Sequence, residues 1–319
     1  MAAPMPRRAP VTSATGRFLA MASSPTRSAP GCGPRRMPSI GRGRGQRDRE
    51  TSMPITGAAR VFAILGDPIH VVRSPAMWNA ELARLGLDAA FVPLDVPAED
   101  FAAAWAGLTR IRNLDGLVLT MPHKQAVVPL LDALGPMARL TGVVNTVRRR
   151  AAGGWEGDMF DGEGFVAGLL GAGHDPAGRR ILQVGCGGAG RAIAFALARA
   201  GAAVLDLADA APGRAGALAA EVTAAFPACR AATGLADPAG YEIVVNATPM
   251  GLHPGDPLPF DPGRLSPLQI VADVIPNPEL TPLLDAARAK GCDVATGRAM
   301  FEGQARLAAA YLGVAGWGG

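Results

Sequence analysis

The chain has 319 residues, 49% hydrophobic and 18% charged, which suits a folded protein of about two domains and excludes a disordered one. No apolar run approaches the ~18 residues of a membrane span. The net charge of +4 is uneven: residues 1–52 hold ten arginines against Asp48 and Glu50, and the rest holds 21 basic and 25 acidic groups.

Residues 1–55 read as a basic tail. They are rich in Arg, Pro, Ser, Gly and Ala, without apolar periodicity, so they cannot bury enough surface to fold. Three origins stay open: translation from a start upstream of Met53, an organelle transit segment, or an arm for nucleic acid. The acidic balance of the remaining chain argues against nucleic acid as a partner of the folded body. Cys32, Cys186, Cys229 and Cys292 form no C-x-x-C pair, so neither a disulfide framework nor a metal site is expected, and a cytoplasmic setting fits.

The next elements alternate. "RVFAILG" (60–66) reads as a strand and "SPAMWNAELARLGL" (74–87) as a helix. "AAFVPLDV" (89–96) is a strand, "AEDFAAAWAGLTRI" (98–111) a helix, "LDGLVLTMP" (114–122) a strand and "QAVVPLLDAL" (125–134) a helix. Strands alternating with helices predict an α/β fold with a mainly parallel sheet covered on both faces. Arg148–Arg150 read as a solvated strand end or loop. "GDMFDGEGFVAGLLGAG" (157–173) reads as a loop running into a connecting helix.

One of only two lysines, Lys124, follows the third strand; the other 29 basic residues are arginine. Arginine keeps its proton at any usable pH, whereas lysine can give one up and take it back. Ligands in this architecture gather at the carboxyl ends of the strands. Lys124 is therefore a candidate for proton transfer, against the plainer reading of a surface residue.

A second βα series begins near residue 179. "RRILQVGCGGAGRAIAFALARAGAAVLDLAD" (179–209) gives strand, glycine turn, helix and strand. A helix (212–226), strands (241–248 and 268–275) and helices (281–291 and 298–313) follow. Glycines between a strand and a helix let a pyrophosphate approach the backbone, where helix-terminal amides hold it. This predicts a dinucleotide site at Gly185, Gly187, Gly188 and Ala189. Asp209, at the end of the next strand, is placed to accept from a ribose 2′-hydroxyl and repel a 2′-phosphate. With Ala210 and Ala211 after it, NAD is expected rather than NADP; Arg214 is the counter-indication. Cys186 lies in the turn and is expected to be open to alkylation.

These motifs, in order, resemble the shikimate/quinate dehydrogenases. "GDPIHVVRSP", "LTMPHK", "TGVVNT", "GDMFDGEG", "GCGGAGRA", "VNATPMG", "DVIPNPELTPLL" and "GRAMFEGQA" cover residues 60 to 312 of the folded body. The resemblance implies two α/β domains with a cleft between them: residues 56–160 with 297–319 for substrate, and a Rossmann domain at 161–296. It implies NAD(P)-dependent interconversion of a secondary alcohol and a ketone on a shikimate- or quinate-like alicyclic hydroxy acid, by a monomer or homodimer. Lys124 and Asp161 are the implied catalytic pair. Ser74, Thr120, Asn145 and Gln304 are implied at the substrate, and Asn246, Thr248 and Met300 near the cofactor. His123 is expected to pack rather than relay protons.

Four departures cluster at the substrate positions. Val72 replaces one of two serines, Val118 an asparagine, Met159-Phe160 an Asn-Thr pair, and Pro276 a tyrosine. Arg73 and Arg298 are candidates to compensate. An altered substrate within the same fold, or a silent NAD-binding sensor, stays open.

Overall fold

The computed structural model describes residues 55–253 and 255–318; the basic tail lies outside them. The described residues belong to one compact unit. Its elements begin with β1 (Arg60–Gly66), α1 (Ser74–Arg84), β2 (Ala89–Asp95), α2 (Phe101–Leu108) and β3 (Leu114–Leu119). Then come α3 (His123–Ala126), β4 (Ala133–Leu134), α4 (Pro136–Thr141), β5 (Thr146–Arg149), β6 (Trp155–Asp158) and α5 (Asp161–Gly171).

The second series holds β7 (Arg180–Val184), α6 (Gly188–Arg199), β8 (Val204–Ala208), α7 (Arg214–Ala225), β9 (Arg230–Thr233) and β10 (Ile243–Asn246). It ends with β11 (Ile270–Asp273), α8 (Pro282–Ala289), β12 (Asp293–Ala295) and α9 (Gly297–Tyr311).

The first sheet has the order β2-β1-β3-β5-β6-β4. β2, β1 and β3 run parallel, whereas β3, β5 and β6 pair antiparallel. Both faces are buried, as a sheet covered on two sides requires. Phe62 and Ile64 pack with Trp78, Leu82, Ala308 and Ala309 on one face. Ala63 and Leu65 pack with Phe101, Trp105 and Leu117 on the other. The second sheet is all parallel, in the order β12-β11-β10-β7-β8-β9. The order reverses at β7, which is the switch point where doubly wound sheets bind ligands.

The helix expected over 125–134 is a correction. α3 stops at Ala126, a single 3-10 turn covers Val128–Leu130, and β4 follows. Pro129 explains the break: it has no amide to donate and its ring clashes with the preceding turn. The Arg148–Arg150 stretch is also not a simple solvated end. Arg148 and Arg149 belong to β5, and Arg149 donates to the carbonyls of Ile111 and Leu114.

Candidate active site

Sheet order gathers the first three residues. Val118 on β3 is opposite Thr146 on β5, and Thr146 is opposite Asp158 on β6. The carboxyl ends of β3 and β6 and the amino end of β5 therefore share one edge. Lys124 follows β3, Asn145 precedes β5, and Asp161 opens α5 after β6.

The three side chains are joined by hydrogen bonds. Lys124 Nζ donates to Asp161 Oδ2 at 2.6 Å, and Asn145 Nδ2 donates to Asp161 Oδ1 at 2.6 Å. Asn145 Oδ1 accepts from the Phe160 amide at 3.0 Å and the Thr146 hydroxyl at 3.1 Å. The Lys124 and Asp161 side chains are 19% and 5% exposed, so the pair is shielded but open to a ligand on the lysine side. Charge-assisted bonds of this length are strong and directional.

α5 sets the position of Asp161. Cβ atoms at Gly162, Gly164 and Gly168 would strike Ala192 O, the Gln304 backbone and the Ala299–Met300 peptide, respectively. Glycine there lets α5 lie close against both α6 and α9. Gln304 and Met300 are thereby brought beside α5, both half-buried. Ser74 is buried at the start of α1, and Thr120 is half-buried after β3, its amide donating to Leu65 O. His123 is buried, stacks on Phe101 at 4.4 Å and donates Nε2–H to Val96 O. It packs, as expected, and its contacts tie α3 to the loop after β2.

The glycine turn follows β7. Gly185 has φ +105°, open to glycine but strained for other residues. Cβ atoms at Gly187 and Gly188 would meet nothing within 4 Å, so space lies open over the first amides of α6. Ala189 is the second residue of that helix. Asp209 Oδ2 accepts from the Cys186 amide and Oδ1 from the Ala211 amide, each at 2.7 Å; Arg214 Nη1 lies 3.3 Å from Oδ1. Burial pushes the Asp209 carboxyl up, but these two amides and the Arg214 guanidinium outweigh it and hold it below the ordinary carboxylate range. The turn, the open helix end and the carboxylate after β8 fit a dinucleotide.

Two residues missed in the sequence support the turn. Gly190 completes Gly-x-Gly-x-x-Gly, and a Cβ there would strike Gly185 O; the spacing was legible. Buried Gln183 donates Nε2–H to the carbonyls of Gly185 and Gly190, each at 2.8 Å. A polar residue in the apolar strand "RILQV" was its only signal.

Three expectations change. Cys186 is buried, and burial with the nearby Asp209 charge pushes its thiol up to about 12, so alkylation is disfavoured rather than promoted. Asn246 does not open toward a ligand: fully buried, it donates to Met250 O and Asp273 Oδ1 and accepts from Thr248 N and Oγ1. It shapes the loop carrying Thr248. Arg298 is engaged with Glu279 and Glu302, while Arg73 is exposed beside Ser74. Val118 and Phe160 lie in the core cluster against α1 and α9, Met159 is fully buried, and Val72 is half-buried. Among the described residues, no group of acidic, His or Cys side chains is placed to hold a metal, and no helix is long and apolar enough to cross a membrane.

The family model for the shikimate dehydrogenase substrate binding domain matches residues 64–147. A shikimate dehydrogenase (NADP(+)) of Rubrobacter xylanophilus is 41% identical over 256 residues, covering 77% of this chain and 88% of the relative. The chain belongs to the shikimate dehydrogenase family. It is accordingly an oxidoreductase of a CH–OH group that uses a nicotinamide cofactor. Two solved structures share its fold at 34% identity. Quinate dehydrogenase from Corynebacterium glutamicum, in complex with NAD, covers 80% of this chain and 93% of its own, with a TM-score of 0.72. The ligand-free 5-ketofructose reductase of Gluconobacter sp. covers 80% and 92%, with a TM-score of 0.73.

Proposed function

We propose that this family member interconverts a secondary alcohol and its ketone on a shikimate- or quinate-like alicyclic hydroxy acid, with NAD as the working cofactor. The hydrogen-bonded set of Lys124, Asp161 and Asn145 carries this reading. Residues 56–160 with 297–319 form the substrate unit, and residues 161–296 the cofactor unit. Ser74, Thr120, Asn145 and Gln304 hold the substrate. Gly185, Gly187, Gly188, Ala189 and Asp209 hold the dinucleotide, with Thr248 and Met300 beside it and Asn246 supporting from behind.

When bound, a nicotinamide cofactor would supply the hydride for ketone reduction in its reduced form and accept it for alcohol oxidation in its oxidised form. As carbonyl oxygen gains negative charge, Lys124 stabilises it and delivers a proton from Nζ. Asp161 holds the ammonium in place and compensates its charge until the proton leaves, after which it still accepts a hydrogen bond from the neutral amine. Asn145 fixes the carboxylate from the other side. In oxidation the same lysine, neutral, takes the proton from the hydroxyl.

The cofactor choice rests on Asp209. A 2′-phosphate would face its carboxylate, and the nearby cation, Arg214, is already paired with it. The relative's name specifies NADP(+), so both cofactors belong in the test.

A second reading has its own support. Val72, Val118 and Phe160 put apolar side chains where the family resemblance implies polar ones. Each lost hydrogen bond to a charged group costs about 1.5–3 kcal/mol. The likeness to a protein named 5-ketofructose reductase supports a substrate outside shikimate and quinate.

The experiment is to follow NAD(P)H formation with shikimate, quinate and a panel of alicyclic hydroxy acids and polyols, and reduction with the matching ketones. NAD-linked turnover of shikimate or quinate is the expected result. Turnover of another panel member alone establishes the second reading. Tight NADH binding with no turnover anywhere would point to a substrate outside the panel or to a sensor. NAD should exceed NADP in kcat/KM by about tenfold or more, as like charges in contact cost several kcal/mol. Asp209→Asn should shrink that ratio, and a wild-type preference for NADP would refute the cofactor assignment.

A further inference from the structure

Ser74 and Gln304 stand on different helices, and a short segment ties those helices together. After α9 the chain turns back through Gly313, Gly316 and Gly318, with φ of +71°, +78° and +68°. Leu312 and Val314 sink into the cluster that holds Trp78 and Leu82 of α1. The Trp317 ring lies 4.3 Å from that of Trp78, which is 2% exposed and stacks on Phe91 of β2 at 4.7 Å. Two polar ties flank the rings. Arg84 Nη2 donates to Gly316 O, and the Gly318 amide donates to Glu81 Oε1, each at 2.8 Å. A cavity of about 440 Å³, lined by Met77, Glu81, Arg84, Glu302, Arg306 and Trp317, lies between α1, α9 and this segment. Direct side-chain packing therefore does not fill that gap, and the segment bridges it.

We propose that Gly313–Gly318 is a strap, and that Trp317 is a positioning residue. Trp78 sits four residues after Ser74, on the same face of α1. Fixing Trp78 from outside sets the first turn of α1, and with it Ser74, against α9 and Gln304. The role rests on the reading of Ser74 and Gln304 as substrate residues. Trp317 touches neither substrate nor cofactor.

The test is Trp317→Ala with Trp317→Phe as its conservative partner. In Trp317→Ala, amide hydrogen exchange over Trp78–Leu82 should quicken, with α6 unchanged. Substrate KM should rise about tenfold, with kcat within about twofold and the Kd for NADH unchanged, the pattern of lost binding rather than lost chemistry. Trp317→Phe should restore both readouts. Unchanged exchange in α1 overturns the strap. Faster exchange with unchanged KM overturns the positioning role, as does acceleration spread through α6. If the wild-type protein turns over nothing on the panel, the functional reading fails while exchange still decides the strap.

Discussion

Asp161 is fixed on both oxygens, one by an ammonium and one by an amide. That arrangement leaves Lys124 as the group with a proton to give. Arginine at 124 would keep the charge and the ion pair but could not release a proton near neutrality. Lys124→Arg should therefore bind NADH normally and lose about 100-fold or more in kcat, the usual range for a general acid. Fluorescence titration of NADH beside steady-state rates checks both halves, and near-wild-type turnover would sink the assignment. Lys124 was legible from its chemistry, because proton transfer limits the usable side chains, and Asp161 and Asn145 were legible only through the motifs that resemble the family. Gln183 was not, because its value depends on two carbonyls that only the folded turn brings within reach.

Among the elements, α5 decides most. It carries Asp161 at its first position and threads between α6 and α9 on glycines. A methyl at Gly164 would sit 2.5 Å from the Gln304 amide nitrogen, so one helix must move. Gly164→Ala should destabilise the fold by about 1–3 kcal/mol, as overpacking does. It should also lower kcat by displacing Asp161 from Lys124. Denaturant melts and rates on the same preparation measure the two effects; a variant as stable and active as wild type would show that α5 has slack. The sequence predicted this helix but not its closeness, since "GEGFVAGLLG" reads equally as a weak helix. The broken helix after Lys124 shows the opposite case: apolar periodicity suggested a continuous run, and Pro129 overrode it.

At the scale of the whole molecule, charge separates the tail from the body. Without residues 1–52, the formal net charge changes from +4 to −4. Taking those residues away should abolish retention on a polyanionic resin and leave kcat and KM unchanged. Altered kinetics in the shortened protein would give the tail a part in the reaction. The body's fold was legible in advance because alternating strands and helices, with a glycine turn after one strand, admit few topologies. By itself the sequence determined the fold class, the candidate lysine and the glycine turn, because each depends on local pattern or side-chain chemistry, while Asp161 came from the resemblance of its motif to the family. Tertiary structure alone decided that β5 and β6 run antiparallel to bring Asn145 and Asp161 to Lys124. It also decided that Asn246 faces inward, that Cys186 is shielded, and that Trp317 reaches back to Trp78. These depend on contacts between residues far apart in the chain, and no local pattern encodes such distances.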